Sequence, residues 1–378
     1  MSKLNKITYG LDDVGIVQAP VSYTLHRKDV SPFVHICGRS VYPIFASPME
    51  SVIDENNYRI FLENKITPVI PRTVQQRLNI QERLLLAQET FVSFSLAEAQ
   101  ALCDDGAFYN FRDTLYICID MAHGTLNSLY DTCKLIKSKY NNVVIMTGNV
   151  NNPEAYFYYA NAGIDYLRLT IGSGSRCTTA CAVGVFSGTA TLIDEIVSEK
   201  KRWEQTYPDK PSTKIIVDGG IDWYDKIQKS IALGADAVMI GKLFAECEEA
   251  CGFVGYSENE AEFSNGIYYS REDYEHYKNV TDDELSLFGG KRRFLQPFRM
   301  YRGMSHRSSQ KLMGGDGGKV SEGICKAVKV KHTLSHWVNN MDSYLRSCMT
   351  YTDSSCIEEL QESEVVILGN NGKMAYAK

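Results

Sequence analysis

Eight short runs of apolar and β-branched residues recur along the chain, and their spacing constrains the fold more than any other feature. They are Tyr42–Ser47, Ile66–Ile70, Thr90–Phe94, Leu115–Asp120, Asn142–Thr147, Ile164–Thr170, Lys214–Asp218 and Asp236–Ile240. Most start about 22–28 residues apart, the span of one strand plus one crossover helix. Helix-like stretches fill the gaps at Leu126–Tyr140, Pro153–Gly163 and Asp225–Gly234. Gly163 and Gly234 stand where a left-handed residue stops a helix. Eight βα units favour a closed (β/α)8 TIM barrel, an α/β fold, over an open doubly wound sheet. No linker sets off a second domain, so residues 1–378 read as a single barrel domain.

Composition narrows the partners. The chain has 40 basic and 46 acidic residues, a net charge of −6, which argues against a nucleic-acid polymer and leaves room for a local cradle for one phosphate. No run approaches the ~18 apolar residues of a transmembrane helix. The opening residues MSKLNKITYG lack the apolar core of a secretory signal. Eleven cysteines without framework spacing read as reduced thiols, and the expected location is cytoplasmic. Tyrosines cluster at Tyr156, Tyr158 and Tyr159 and at Tyr268, Tyr269, Tyr274 and Tyr277, in runs that look like surface.

Two departures from the βα rhythm stand out. Gly172–Ser212 separates the sixth and seventh runs, and Gly241–Tyr301 follows the eighth. Residues 242–300 read as an extended insertion, a long eighth βα loop. Residues 301–323, with the glycine-rich Gly314, Gly315, Gly317 and Gly318, read as a mobile active-site flap. Long loops at the C-terminal face of a barrel are where function sits.

Three segments at that face could carry chemistry. Gly172-Ser173-Gly174-Ser175-Arg176-Cys177-Thr178-Thr179 is a tight loop that could present Cys177 as a nucleophile, although a cysteine is more often a small core residue. Asp218-Gly219-Gly220 and Gly241-Lys242 offer backbone amides to a phosphate. Asp218 could equally be a helix cap or turn former, whereas a Schiff-base role for Lys242 is disfavoured by its place beyond the glycine rather than inside a strand. His332 and His336 lack a third ligand nearby, and the four-residue spacing of Cys177/Cys181 and Cys247/Cys251 fits neither a zinc nor a redox motif. The acidic stretch at Glu246, Glu248 and Glu249 reads as a solvated helix face.

Taken in order, these segments resemble the IMP dehydrogenase and GMP reductase family. The resemblance runs from Thr8–Val14 and Pro43–Glu50 through Gly148-Asn149-Val150 and the Gly172–Thr179 loop. It continues through Asp218-Gly219-Gly220, Gly234–Gly241 and Tyr301–Ser305. It implies the (β/α)8 barrel without an inserted CBS domain pair. It also implies that Cys177 is a catalytic thiolate attacking C2 of a bound purine nucleoside monophosphate, with Thr179 and Glu322 as the proton-moving pair. Gly219, Gly220, Gly241, Lys242 and Ser175 would hold the phosphate and Asp218 the ribose. Ser47, Met49, Met304, Ser305, Lys319, Ser321 and Gly323 would complete the substrate site.

The resemblance further implies a nicotinamide cofactor beside Asp120, Ala122, His123, Asn149 and Thr178. The carbonyls of Gly172, Gly174 and Cys177 would form a monovalent-cation (K⁺) loop, and the assembly would be a homotetramer. Ala180 stands where the family has arginine. The segment Ile117–Gly124 and the ending Ser321-Glu322-Gly323 look like the reductase, whereas Tyr301-Arg302-Gly303-Met304 is spelled like the dehydrogenase. The implied reaction is NADPH-dependent reductive deamination of GMP to IMP. IMP oxidation with NAD⁺ and a non-catalytic purine-nucleotide-binding barrel are the alternatives.

Overall fold

All eight runs form strands of one closed parallel barrel. The computed structural model describes residues 6–24, 26–175, 177–281, 285, 292–304, 306–313 and 323–369. The strands are β1 (Ile44–Ala46), β2 (Thr67–Ile70), β3 (Phe91–Phe94), β4 (Leu115–Asp120), β5 (Val143–Val150), β6 (Tyr166–Leu169), β7 (Lys214–Asp218) and β8 (Ala237–Ile240). Each pairs with its sequence neighbour, and β8 closes on β1 through Val238↔Ile44, Met239↔Phe45 and Ile240↔Ala46.

Helices alternate with the strands: α1 (Tyr58–Glu63), α2 (Ile80–Leu86), α3 (Leu96–Asp104), α4 (Asn127–Lys139) and α5 (Ala155–Asn161). The long segment after β6 holds a short α6 (Thr179–Val183) and then α7 (Thr189–Thr206), and α8 (Tyr224–Ala232) joins β7 to β8. Gly163 and Gly234 follow α5 and α8 at φ 75° and 100°, the left-handed stops expected of them.

Inside the barrel each strand contributes one apolar residue to a central layer. Phe45, Phe91 and Tyr166 meet edge-on with centroids 5.4–5.9 Å apart, and Val69, Cys118, Met146, Ile216 and Met239 fill the rest. This plug is what makes the barrel a core and not a pore, so a ligand must bind above it.

After β8 the chain makes the long excursion that the sequence predicts, and the structure shows regular elements within it. The excursion opens with α9 (Lys242–Ala245) and folds into an antiparallel sheet of β9 (Val254–Ser257), β10 (Gln296–Arg302) and β11 (Cys325–Lys329). Helices α10 (Glu260–Ser264) and α11 (Arg271–Asn279) lie between β9 and β10, and α12 (Arg307–Leu312) precedes β11. The boundary drawn between 300 and 301 falls within β10, whose Tyr301 and Arg302 pair with Lys326 and Cys325. This sheet has its own small core of Phe263, Phe298 and Ala327.

The chain then returns through α13 (Leu334–Tyr351), which supplies the eighth barrel helix. Its buried Trp337 stacks on Tyr224 of α8 at 5.5 Å and meets Phe244 edge-on at 4.9 Å. The tyrosine runs need a correction. Tyr156 and Tyr159 are buried, because the helical period turns them inward and leaves Tyr158 outside. The Tyr156 hydroxyl donates to the Thr213 carbonyl at 3.0 Å, and that of Tyr159 to the Gly124 carbonyl. Among the described residues no helix is long and apolar enough to cross a membrane.

Candidate active site

Side chains alternate along a strand, so residues two apart share a face. Cys118 and Asp120 on β4, Tyr166 and Arg168 on β6, and Ile216 and Asp218 on β7 therefore point inward in pairs. The lower member of each pair joins the apolar plug. The upper member faces the C-terminal mouth and builds a polar floor.

Arg168 is the centre of that floor. Its Nη1 donates to Asp120 Oδ1 at 2.8 Å, while Nε and Nη2 donate to Asp218 Oδ2 at 3.0 and 2.8 Å. Asn149 Nδ2 adds a bond to the same Asp218 oxygen at 2.9 Å, and Arg72 Nε lies 3.5 Å from Asp120 Oδ2. Burial pushes the Asp120 carboxyl up, but the Arg168 and Arg72 guanidiniums outweigh it and hold the group below the usual carboxylate range. Asp218 is thus engaged by side chains and is not a helix cap.

Above the floor opens a cavity of about 630 Å³, within the range of small-molecule sites. Cys177 stands on its wall. Its N–H donates to the Gly174 carbonyl at 2.9 Å, its Sγ donates to Thr179 Oγ1 at 3.2 Å, and its backbone pairs with Gly323. The loop packs closely against the end of β7. A Cβ on Gly219 (φ 105°) would lie 2.8 Å from Ser173 Oγ, so only glycine fits there. Across the cavity a Cβ on Gly241 would lie 2.6 Å from the Tyr301 hydroxyl and 2.8 Å from Met49 Sδ.

The barrel brings most of the sequence-predicted residues to this one cavity. Ser47 and Met49 follow β1, Asp120 and Ala122 end β4, and Asn149 lies on β5. Gly172, Gly174, Ser175, Cys177 and Thr179 follow β6, Asp218, Gly219 and Gly220 end β7, and Gly241 and Lys242 follow β8. Met304 and Gly323 close it from the excursion. Two expected residues are not in the lining. His123 is exposed, with Nδ1 3.2 Å from Thr125 Oγ1, and Thr178 turns its carbonyl into α6 to accept from Ala182 N at 2.8 Å. Ser305, Lys319, Ser321 and Glu322 lie outside the described residues.

The lining also contains Arg72, Arg168, Thr170, Gln310 and Met313, which sequence reasoning did not single out, and Tyr301, which it named only within a family-like segment. The period-two pattern Tyr166, Arg168, Thr170 is the signal that could have found two of them. No group of three or more His, Cys, Asp or Glu side chains among the described residues could hold a metal ion, and the His332 and His336 rings simply lie side by side at 6.4 Å.

Comparison with known proteins points to one family. Residues 100–268, which span β4 to β9, match the model of the IMP dehydrogenase / GMP reductase domain. The chain belongs to the IMP dehydrogenase / GMP reductase family. It is 29% identical to a GMP reductase of Helicobacter pylori over 77% of this chain and 87% of that protein. It is 32% identical to an inosine-5'-monophosphate dehydrogenase of Cryptosporidium parvum over 68% of this chain and 55% of that protein. A Chlorobaculum parvum inosine-5'-monophosphate dehydrogenase is 30% identical over 65% of this chain, which spans only 44% of that relative. Family members of both names are therefore similar to it at comparable identity.

All eleven cysteines are free. Burial pushes the Cys118 thiol up to about 11 and those of Cys37, Cys133 and Cys348 up to about 12. A thiol at about 11 is thiolate in roughly one molecule in a thousand at pH 8. Iodoacetamide at pH 8 is expected to leave these four unmodified and to label exposed Cys181 and partly exposed Cys177, read by peptide mass mapping. A ligand seated in the cavity should protect Cys177 and not Cys181, which is outside the cavity lining.

Proposed function

We propose that the chain is a GMP reductase: it converts GMP, NADPH and protons to IMP, NADP⁺ and ammonium through a covalent cysteine–purine adduct. The observation that carries this reading is the Cys177 thiol on the wall of the 630 Å³ cavity, 3.2 Å from the Thr179 hydroxyl and in the same chamber as Asp218, Gly219, Gly220 and Gly241. The Cys177 thiolate adds to purine C2, and the C2–NH₂ bond breaks as the amino group takes up a proton and leaves as ammonia. Thr179 relays that proton, with Glu322, the residue before Gly323, as the acid that recharges it. Reduced nicotinamide, when bound, supplies the hydride that C2 needs. The C2–S bond then breaks, its electron pair returns to Cys177, and IMP is released.

The floor supports both halves of this scheme. Asp218, held still by Arg168 and Asn149, faces the cavity where a ribose hydroxyl needs an acceptor. The Asp120 carboxylate and Ala122 offer a polar edge for a carboxamide. The loop also fits the backbone cation site. The Gly174 carbonyl spends one lone pair on the Cys177 N–H at 2.9 Å and keeps a second, so Gly172, Gly174 and Cys177 would hold K⁺ through carbonyl oxygens. A cytoplasmic homotetramer is the assembly we assign by resemblance.

One observation favours a second reading. Tyr301 lines the cavity beside Gly241 within a dehydrogenase-like Tyr-Arg-Gly-Met segment, which would suit IMP oxidation with NAD⁺. An absorbance assay separates the two. GMP with NADPH is expected to lose signal at the reduced-nicotinamide band; a gain from IMP with NAD⁺ instead would establish the dehydrogenase. No change either way, with nucleotide binding intact, would leave a non-catalytic purine-nucleotide-binding barrel.

A further inference from the structure

Thr170 has a backbone conformation that its side chain disfavours. Among the described residues the non-glycine positions with positive φ are Cys37, Lys65, Thr170 and Asp353, and Thr170 combines φ 80° with a β-branched side chain and a place in the cavity lining. Such a residue persists only where its surroundings over-determine it, and glycine would adopt the same turn without strain. The strain therefore has to be offset by something a side chain does.

Thr170 is buried, and its hydroxyl both donates and accepts. It donates to the Asp218 carbonyl at 2.5 Å, and because a carbonyl can only accept, its single proton is committed there. Ser173 Oγ, 2.7 Å away, must then be the donor to Thr170. The result is a directed chain from Ser173 through Thr170 to Asp218. The Thr170 backbone adds two more ties: its N–H donates to Val150 at 2.9 Å, and its carbonyl accepts from Asn149 Nδ2 at 3.1 Å. One residue thus joins the ends of β5, β6 and β7.

The consequence reaches the thiol. Ser173 sits over Gly219, and Gly174, next in the chain, accepts the N–H of Cys177. We propose that Thr170 is a positioning residue whose hydroxyl locks the Cys177 loop onto the end of β7 and so sets the thiol relative to Asp218. The proposal rests on the reading that Cys177 attacks a purine whose ribose Asp218 holds. Its mechanical content, a hydroxyl that fixes the loop, can be measured without turnover.

The experiment compares Thr170→Ser, Thr170→Val and Thr170→Gly in the full chain, measuring the iodoacetamide rate at each cysteine at pH 8, with and without GMP. Serine keeps the hydroxyl and is expected to label Cys177 at the parent rate. Valine keeps the shape and loses the hydroxyl, and glycine loses both hydroxyl and strain. Both are expected to change the Cys177 rate about fivefold or more, with Cys181, Cys118 and Cys133 unchanged. Thr170→Gly is expected to melt no lower than the parent, which separates positioning from scaffold loss. If valine fails to fold, labelling of Cys118 and Cys133 reveals it, and glycine decides alone. A Cys177 rate in folded Thr170→Val or Thr170→Gly within about twofold of the parent overturns the proposal. A parent protein whose Cys177 neither GMP nor IMP protects instead removes the nucleotide reading and leaves the loop-locking inference standing or falling on the rates.

Discussion

On the reductase mechanism proposed above, a Cys177→Ser protein is expected to bind GMP and turn over nothing. Serine is nearly isosteric, and it keeps a donor toward Thr179 Oγ1, which Cys177 Sγ reaches at 3.2 Å. Folding stability should therefore stay within about 0.5 kcal/mol of the parent. The chemistry is a different matter. A serine hydroxyl is far less ionised than a thiol at neutral pH and is the poorer leaving group when the adduct collapses. Both the making and the breaking of the bond to C2 suffer. Loss of a covalent nucleophile is felt on the scale of about 10⁴-fold or more in kcat. Equilibrium dialysis with GMP and a nicotinamide absorbance assay on the same preparation check the two halves. Retained binding with kcat below about 10⁻⁴ of the parent is the expected pair. A variant that keeps a few per cent of parent kcat would mean that the thiol does not form the adduct.

That prediction depends on one residue that local sequence could point to, and others in the same site show where such reading stops. Strands β4 and β7 coincide with their predicted runs to the residue, because each is an apolar stretch bounded by polar turns. Strand β6 is shorter at both ends than Ile164–Thr170. Asp165 spends its carboxylate on the Ile145 N–H and Lys137, and Thr170 leaves the extended region. Strand β5 runs past Thr147 to Val150 because a shifted register lets Val150 pair with Leu169.

Arg168 was passed over for a deeper reason. In the sequence it is a single charge in an apolar strand, and its meaning appears only when Asp120 and Asp218, 48 and 50 residues away, converge on it. The antiparallel sheet after β8 was hidden in the same way. Its core residues Phe263, Phe298 and Ala327 are far apart in the chain and meet only through strand pairing. Close approach is equally non-local: Gly219 is required by Ser173, and Gly241 by Tyr301 and Met49.

Removing that hidden cation should have the largest effect on folding. Arg168 is 7% exposed as a side chain and pairs with Asp120 and Asp218, each at 2.8 Å, so Arg168→Met leaves two carboxylates facing each other in the floor without it. Breaking a buried pair from one side costs about 3–5 kcal/mol, because the remaining charge stays desolvated. The pH dependence should also change sign at Asp120. In the parent its folded carboxyl lies below the unfolded value of about 3.9. Its stabilisation is therefore complete above that pH and is lost as acid carries the pH down through the folded value. In Arg168→Met the larger lowering partner is gone, and burial together with the facing Asp218 carboxylate, both of which raise the Asp120 carboxyl, is expected to outweigh the remaining Arg72 at 3.5 Å. The group then destabilises the fold at neutral pH, and the fold recovers as the pH falls and the carboxyl takes up a proton. Thermal melts at pH 8 and pH 5 are expected to show the variant gaining stability toward pH 5 relative to the parent. Adding Asp120→Asn should return part of the loss at pH 8, since it removes one of the two carboxylates that Arg168 no longer separates. A variant that melts like the parent at both pH values would show that the floor does not depend on its central cation.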